Sequence, residues 1–243
     1  MKIYNDIEQR SAEWHSIRNG KFTGSDFYIC MSDKETETKN NLIYNKAVER
    51  ITKKDNDTNN FINQAMIDGI EREEEARKSY ELETGNIVNE VGFVELNNFI
   101  GCSPDFVFLD ENKNIKGIGE IKNPTNKVFL QTILNKEIKK EYMIQMQFNM
   151  YVCKVNYCDY VVYNPNFKKS LLIQRVERDE ELIDKIKTKL DECIKKVNEI
   201  VEKYNNFISI NKNEEIPFLD NLQDLVKEEE LKDEEKSYNR IIK

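Results

Sequence analysis

Residues 101–122 read GCSPDFVFLDENKNIKGIGEIK, and their reading decides the fold. Two runs of β-favouring residues, Gly101 to Leu109 and Ile115 to Lys122, flank the polar cluster Asp110-Glu111-Asn112-Lys113-Asn114. A cluster of Asp and Asn between two such runs predicts a turn, and the whole segment a hairpin. Centring that hairpin between Asn112 and Lys113 sets Asp105 opposite Glu120. Directly opposed residues share a sheet face. Lys122, two residues beyond Glu120, shares it too, while Ile121 points the other way. One face therefore gathers Asp105, Glu120 and Lys122. Two carboxylates at short range repel each other unless a cation lies between them. Their hard oxygens suit Mg²⁺ or Mn²⁺. A surface hairpin with scattered charges is the competing reading of the same pattern.

Working outward, Glu90 to Leu96 reads as a further strand, and so do Asp159 to Tyr163 and Leu171 to Val176. Tyr142 to Val155 reads as a helix apolar on more than one face, hence buried or in an interface. Asp179 to Tyr204 carries one apolar stripe through Leu182, Ile186, Leu190, Val197 and Val201 and predicts a long helix. Lys53 to Asn60 is a polar loop, and Asn211 to Lys243 an acidic, weakly periodic tail or appended helix. The order is a helical N-terminus, a helix, three strands, a helix, two strands and a long helix. It predicts one mixed α/β domain over residues 1–210, a sheet flanked by helices.

The helix read over Phe61 to Tyr80 carries an anomaly. At 100° per residue, Glu73 falls about 20° from the centre of the apolar stripe formed by Ile62, Ala65, Met66, Gly69, Ile70, Ala76 and Tyr80. Glu71, Glu74 and Glu75 fall on the opposite, solvated side. A carboxylate inside a buried stripe is costly without a cation or donor. Either it is a third carboxylate of a metal site, or it pairs with Arg77 one turn on.

Composition limits the alternatives. The chain has 243 residues, 39% apolar and 34% charged, which is enough to bury a core. No run approaches the ~18 apolar residues of a membrane span. Met1 to Arg10 has no signal-peptide core, so a cytoplasmic protein is expected. Cys30, Cys102, Cys153, Cys158 and Cys193 form no C-x-x-C pair, and His15 is the lone histidine. They read as buried thiols rather than a zinc or iron–sulfur site. Neither a Gly-rich phosphate loop nor a nucleophile–His pair is present, which disfavours a small-molecule enzyme. Net charge is −8, yet Asn112 to Arg175 holds eleven Lys or Arg against four acids. A basic central third within an acidic chain fits a face that binds a polyanion.

The motifs resemble a known family. Asp105 followed by Glu120-Ile121-Lys122 is similar to the D-x(n)-E-x-K signature of the restriction-endonuclease-like PD-(D/E)XK nuclease core. Trp14-x3-Arg18 with Thr23-Gly24-Ser25-Asp26 resembles the opening motif of the lambda exonuclease and YqaJ-like viral recombinase family. Gly69-x3-Glu73-x2-Ala76-Arg77, Ser103-Pro104-Asp105 and Tyr142-x2-Gln145-x-Gln147 resemble its later motifs, in order. Phe106 departs from it, since members often carry Gly after the Asp.

The resemblance implies a Mg²⁺-dependent exonuclease, with Mn²⁺ as a substitute, that digests double-stranded DNA from 5′ ends and leaves 3′ single strands for recombination. It implies that Asp105, Glu120 and the carbonyl of Ile121 hold metal and that Glu73 completes a second metal site or binds through water. Lys122 would position and help deprotonate the attacking water, and Gln145 would support the lysine or the nucleophile by hydrogen bonding. Arg18 and Ser25 would hold the terminal 5′ phosphate, against the plainer reading of Ser25 as a helix cap. Trp14 and His15 read as core and surface. A ring of three copies and a single-strand annealing protein are the implied partners. A repair or restriction-type endonuclease of the same fold, and an inactive DNA-end-binding protein, are the alternatives. The tail lies outside the resemblance, so ending the chain at Ile210 is expected to leave digestion of naked linear duplex largely unchanged. A truncated protein that fails to fold, or cannot degrade DNA, would show the tail to be part of the core.

Overall fold

The computed structural model describes residues 1–53 and 64–211, of which 64–71 and 211 are described as helical backbone alone. Most of the expected polar loop, the start of the helix read from Phe61, and the tail beyond Asn211 lie outside those residues. The chain divides into two compact units, Met1–Val201 and Glu202–Lys243. Within the second, residues 202–211 form a helix end.

The elements run β1 (Lys2–Tyr4), α1 (Ala12–Arg18), α2 (Gly24–Phe27), a 3₁₀ turn (Tyr28–Met31), α3 (Glu37–Thr52), α4 (Gln64–Thr84), β2 (Phe93–Asn97) and β3 (Ile100–Cys102). There follow β4 (Phe106–Leu109), β5 (Ile115–Lys122), α5 (Asn126–Asn135), α6 (Lys140–Cys153), β6 (Tyr157–Tyr163), β7 (Leu171–Glu177) and α7 (Glu180–Asn211). β1, β2 and β3 form an antiparallel sheet. β4, β5, β6 and β7 form a mixed sheet in that order, in which β5 and β6 are parallel and the other neighbours antiparallel. The parallel pair is joined by the α5–α6 crossover that such neighbours require.

The hairpin takes the register expected from its turn. Phe106 pairs with Gly119, Val107 with Ile118 and Phe108 with Gly117, with a bulge only at Leu109. The single strand expected over Gly101 to Leu109 is instead two strands in two different sheets. The break falls at Ser103-Pro104-Asp105, where proline has no N–H to donate to a ladder. β1, a three-residue edge strand, and α5, a helix of ten residues, are elements that the sequence reading did not assign.

α6 is buried on several faces, with Ile144, Met146, Phe148, Met150, Val152 and Cys153 all inaccessible. It lies at the centre of the larger core, shared with Phe22, Phe27, Val94, Ile118, Tyr160, Ile186 and Leu190. The opposite face of the mixed sheet carries a smaller core, in which Ala76 and Tyr80 of α4 meet Phe106, Phe108, Ile121 and Val161. α4 is fastened there by a buried polar lock. The Tyr80 hydroxyl donates to Asp159 Oδ2 at 2.5 Å, and Arg175 grips both oxygens of the same carboxylate at 2.7 and 3.0 Å. All five cysteines are buried free thiols.

Phe106, the departure from the family pattern, has a physical account. A Cβ at Gly119, its register partner, would stand 1.9 Å from the Phe106 ring. The missing side chain makes room for that ring, which packs 4.9 Å from Tyr80 and 5.5 Å from Phe108. Gly119→Ala is expected to destabilise the fold by about 1–3 kcal/mol through overpacking. In urea denaturation, Phe106→Leu should recover part of that loss in the double variant. An unchanged midpoint for Gly119→Ala would contradict this packing.

Candidate active site

The register and the interruption of the strand between the two sheets bring the carboxylates together. Asp105 stands at the mouth of β4, its Oδ2 accepting from the Ile121 N–H at 2.6 Å. Glu120 is 2% exposed. Its Oε1 accepts from Lys122 Nζ at 2.5 Å and from Gln145 Nε2 at 2.6 Å, and its Oε2 from Asn149 Nδ2 at 3.4 Å. Gln145 and Asn149 lie one turn apart on α6, so one face of that helix covers both carboxylate oxygens. Lys122 Nζ also donates to Gln145 Oε1 at 3.3 Å and stands 4.8 Å from the Tyr142 ring centroid. The side chain of Ile121 packs in the smaller core, away from these groups.

Glu73 reaches the same place from α4. Its Oε2 accepts from Arg10 Nη2 at 2.5 Å, and its Oε1 lies 3.9 Å from Arg77 Nη1. Arg77 donates to the Asp105 carbonyl at 3.2 Å and also pairs with Glu90. The intrahelical Glu73–Arg77 contact is thus the longer of two, and the shorter one comes from outside the helix.

Across the cleft, Arg18 Nη2 donates to Thr23 Oγ1 at 3.2 Å, and the Ser25 hydroxyl lies 3.3 Å from that same oxygen. Thr23, rather than Ser25, is the N-cap of α2, which leaves Ser25 inside the first turn. α2 lies flush on α6, since a Cβ on Gly24 would stand 2.4 Å from Asn149 Oδ1. A single cavity of about 630 Å³ is lined by Arg18 and Ser25 together with Glu73, Asp105, Glu120, Ile121, Lys122 and Gln145.

Sequence reasoning placed Trp14 in the core and missed Arg10 and Asn149. Trp14 lines the cavity. Its indole N–H donates to Gly92 O at 3.0 Å and Ser103 Oγ at 2.9 Å, and the Arg18 guanidinium lies over its ring at 4.0 Å. The four-residue spacing of Trp14 and Arg18, and of Gln145 and Asn149, is the signal that was available. Nothing local marked Arg10.

The electrostatics follow from this crowding. Burial, then the charges of Glu120 and Glu73, push the Asp105 carboxyl well above the usual carboxylate range. Burial works against the charge on Lys122, but Glu120 and Asp105 outweigh it and raise the ammonium above its ordinary value. Lys122 therefore carries its proton in this setting. Two mutually repelling carboxylates with hard oxygens, one of them buried, form a donor set that fits a divalent cation such as Mg²⁺ or Mn²⁺. Among the described residues no three His, Cys, Asp or Glu side chains stand together as a ready-made cage. The chain's own cations, Lys122 and Arg10, rest on two of the three carboxylates instead.

The YqaJ-like viral recombinase domain matches residues 13–156. The chain belongs to that family. The structure is similar to an alkaline exonuclease from Laribacter hongkongensis, with a TM-score of 0.73 and 30% identity over 82% of this chain and 98% of that one. The same enzyme has been solved in complex with dAMP. A phage-related exonuclease from Haemophilus somnus 129PT shares the fold, with a TM-score of 0.59 and 18% identity over 78% of this chain and 99% of that one. No curated protein sequence matches the chain. The chain is a DNA exonuclease of the lambda-exonuclease type, a hydrolase of the PD-(D/E)XK fold. Among the described residues no helix is long and apolar enough to cross a membrane.

The raised Asp105 carboxyl gives a signed expectation. Whatever stability it contributes is fully present below the ordinary carboxylate range and is lost as pH rises from there through its elevated value, the window in which the folded state keeps a proton that the unfolded state has released. In EDTA, Asp105→Asn should therefore melt higher than the wild type at pH 8, and the gap should narrow as pH falls. Asparagine can still accept from the Ile121 N–H. A variant that melts lower at every pH would show that the carboxylates do not strain one another.

Proposed function

We propose that this exonuclease uses Mg²⁺, with Mn²⁺ as a substitute, to digest duplex DNA from 5′ ends and leave 3′ single strands. One observation carries the reading: Arg18 and Ser25 line the same cavity as Asp105, Glu120 and Lys122. An anion held at Arg18 and Ser25 would set a terminal phosphate within one cavity's reach of the carboxylates. The Laribacter enzyme's complex with dAMP supports a cleft of this kind taking a single nucleotide.

In this proposal Asp105, Glu120 and the Ile121 carbonyl hold the cation, with Glu73 as a further carboxylate. The cation would stabilise charge at the attacked phosphate and the leaving oxygen. Lys122, held protonated by Glu120 and Asp105, positions the attacking water and offsets charge on the phosphate; it gives up its proton only if that carboxylate charge is neutralised. Gln145 donates to Glu120 and accepts from Lys122, so one amide fixes the distance between ligand and ammonium. The guanidinium of Arg18 meets the terminal phosphate while stacked on Trp14. Three copies would form a ring and hand their product to a single-strand annealing protein, as the family implies, in the cytoplasm.

The test uses linear duplex labelled at either end, with a closed circle as control. The wild type should release label from 5′ ends first, spare the circle, and prefer a 5′ phosphate over a 5′ hydroxyl. Arg18→Ala should shrink that preference more than it weakens overall binding, since one charge-assisted contact is worth roughly 1.5–3 kcal/mol. Glu73→Ala, Asp105→Ala, Glu120→Gln and Lys122→Ala should each slow cleavage by orders of magnitude. Ca²⁺ should support DNA binding without turnover. Digestion from 3′ ends, or cutting of the circle, would overturn the polarity; normal Mg²⁺-dependent rates in Asp105→Ala would overturn the site.

A further inference from the structure

Arg10 has backbone and side-chain features that the proposed chemistry leaves unused. Its φ is +71°, in the left-handed region. It occupies the third position of the turn Glu8 to Ser11, closed by the Ser11 N–H on Glu8 O at 3.2 Å, where glycine or asparagine is favoured. Among the described residues, the other non-glycine residues with positive φ close helices (Lys53, Lys136 and Lys154) or the β4–β5 hairpin (Lys113). The turn is pinned beside the active site, because Gln9 Nε2 donates to Val91 O at 2.9 Å and Pro104 O at 3.1 Å. Pro104 directly precedes Asp105. The pinned turn aims the arginine into the cleft, where Nη2 meets Glu73 Oε2 at 2.5 Å.

The two arginines at Glu73 are not equivalent. Arg77 is tied to the Asp105 carbonyl and Glu90 and stays with α4. Arg10 reaches in from the solvent side with 43% of its side chain exposed. A guanidinium on Glu73 blocks one carboxylate oxygen and repels any divalent cation brought to it. At the mouth of a cleft that takes DNA, the same planar fork matches a backbone phosphate. We infer that Arg10 is an exchangeable counter-cation: it holds Glu73 in the metal-free cleft and transfers to a DNA phosphate once Glu73 is engaged by a divalent cation. This rests on the reading of Glu73 as a cation ligand.

The experiment is calorimetric titration of Ca²⁺ into the full-length protein without DNA, for the wild type, Arg10→Gln and Glu73→Gln. Arg10→Gly, which suits the φ, guards against a folding defect in the glutamine variant. Removing Arg10 should tighten Ca²⁺ binding by about fivefold or more, the reverse of what loss of a structural ion pair would do. With duplex DNA and Ca²⁺, the slope of log affinity against log salt should then fall by about 0.9, one phosphate contact. Ca²⁺ affinity unchanged or weakened in both Arg10 variants would overturn the exchange at Glu73. An unchanged salt slope would overturn the transfer to phosphate. If Glu73→Gln binds Ca²⁺ as the wild type does, the underlying assignment of Glu73 fails, and the Arg10 proposal with it.

Discussion

Asp105 and Glu120 face one another across neighbouring strands, and a pair of carboxylates that close must be answered by positive charge or by a proton. The surrounding structure supplies such answers from several directions. The Ile121 N–H is turned onto Asp105, Lys122 lies along Glu120, and α6 lends the amides of Gln145 and Asn149 to both Glu120 oxygens. A third carboxylate, Glu73, arrives with Arg10 and Arg77 beside it. The buried placement of α6 follows from this. A helix that must present two amides to a buried carboxylate, while also filling the core between sheet and long helix, has little surface left for solvent.

The arrangement demands rigidity from α4, which brings Glu73 in from the far side of the mixed sheet. Tyr80, two turns further along that helix, is held by Asp159, and Asp159 by Arg175. Burial first, and then the adjacent carboxylate, push the Tyr80 phenol well above its ordinary value, so it stays a donor. The lock reaches across three elements and fixes α4 against β6 and β7. It holds Glu73 in place without touching the cleft.

Much of the site was legible because strand pairing is arithmetic. A turn at Asn112-Lys113 fixes which residues oppose each other, so the shared face of Asp105, Glu120 and Lys122 could be read without coordinates. Glu73 was legible for a different reason: a charged residue in the middle of an apolar stripe needs an explanation. What could not be read was tertiary. The strand over Gly101 to Leu109 divides between two sheets at Pro104, and the choice of partner for each half depends on β2 and β5, not on local preference. Trp14 looks like a core residue by composition, but its ring is half wall and half platform for Arg18. Arg10 carries no sequence signal at all, because its position depends on a turn held by Gln9 against residues some eighty to ninety-five positions away.

The fit of the Phe106 ring into the space left by Gly119 has a consequence for how this family's sequences are compared. The two positions flank the acidic pair, one following Asp105 and the other preceding Glu120, and they meet across the strands. A full phenyl ring at 106 fits without strain only while position 119 stays bare. A ring after the aspartate therefore calls for a bare position before the glutamate, and the two positions belong together when the motif is read. Read one column at a time, Phe106 looks like erosion of the motif. Read as a pair, the ring fills the volume that the glycine opposite leaves open.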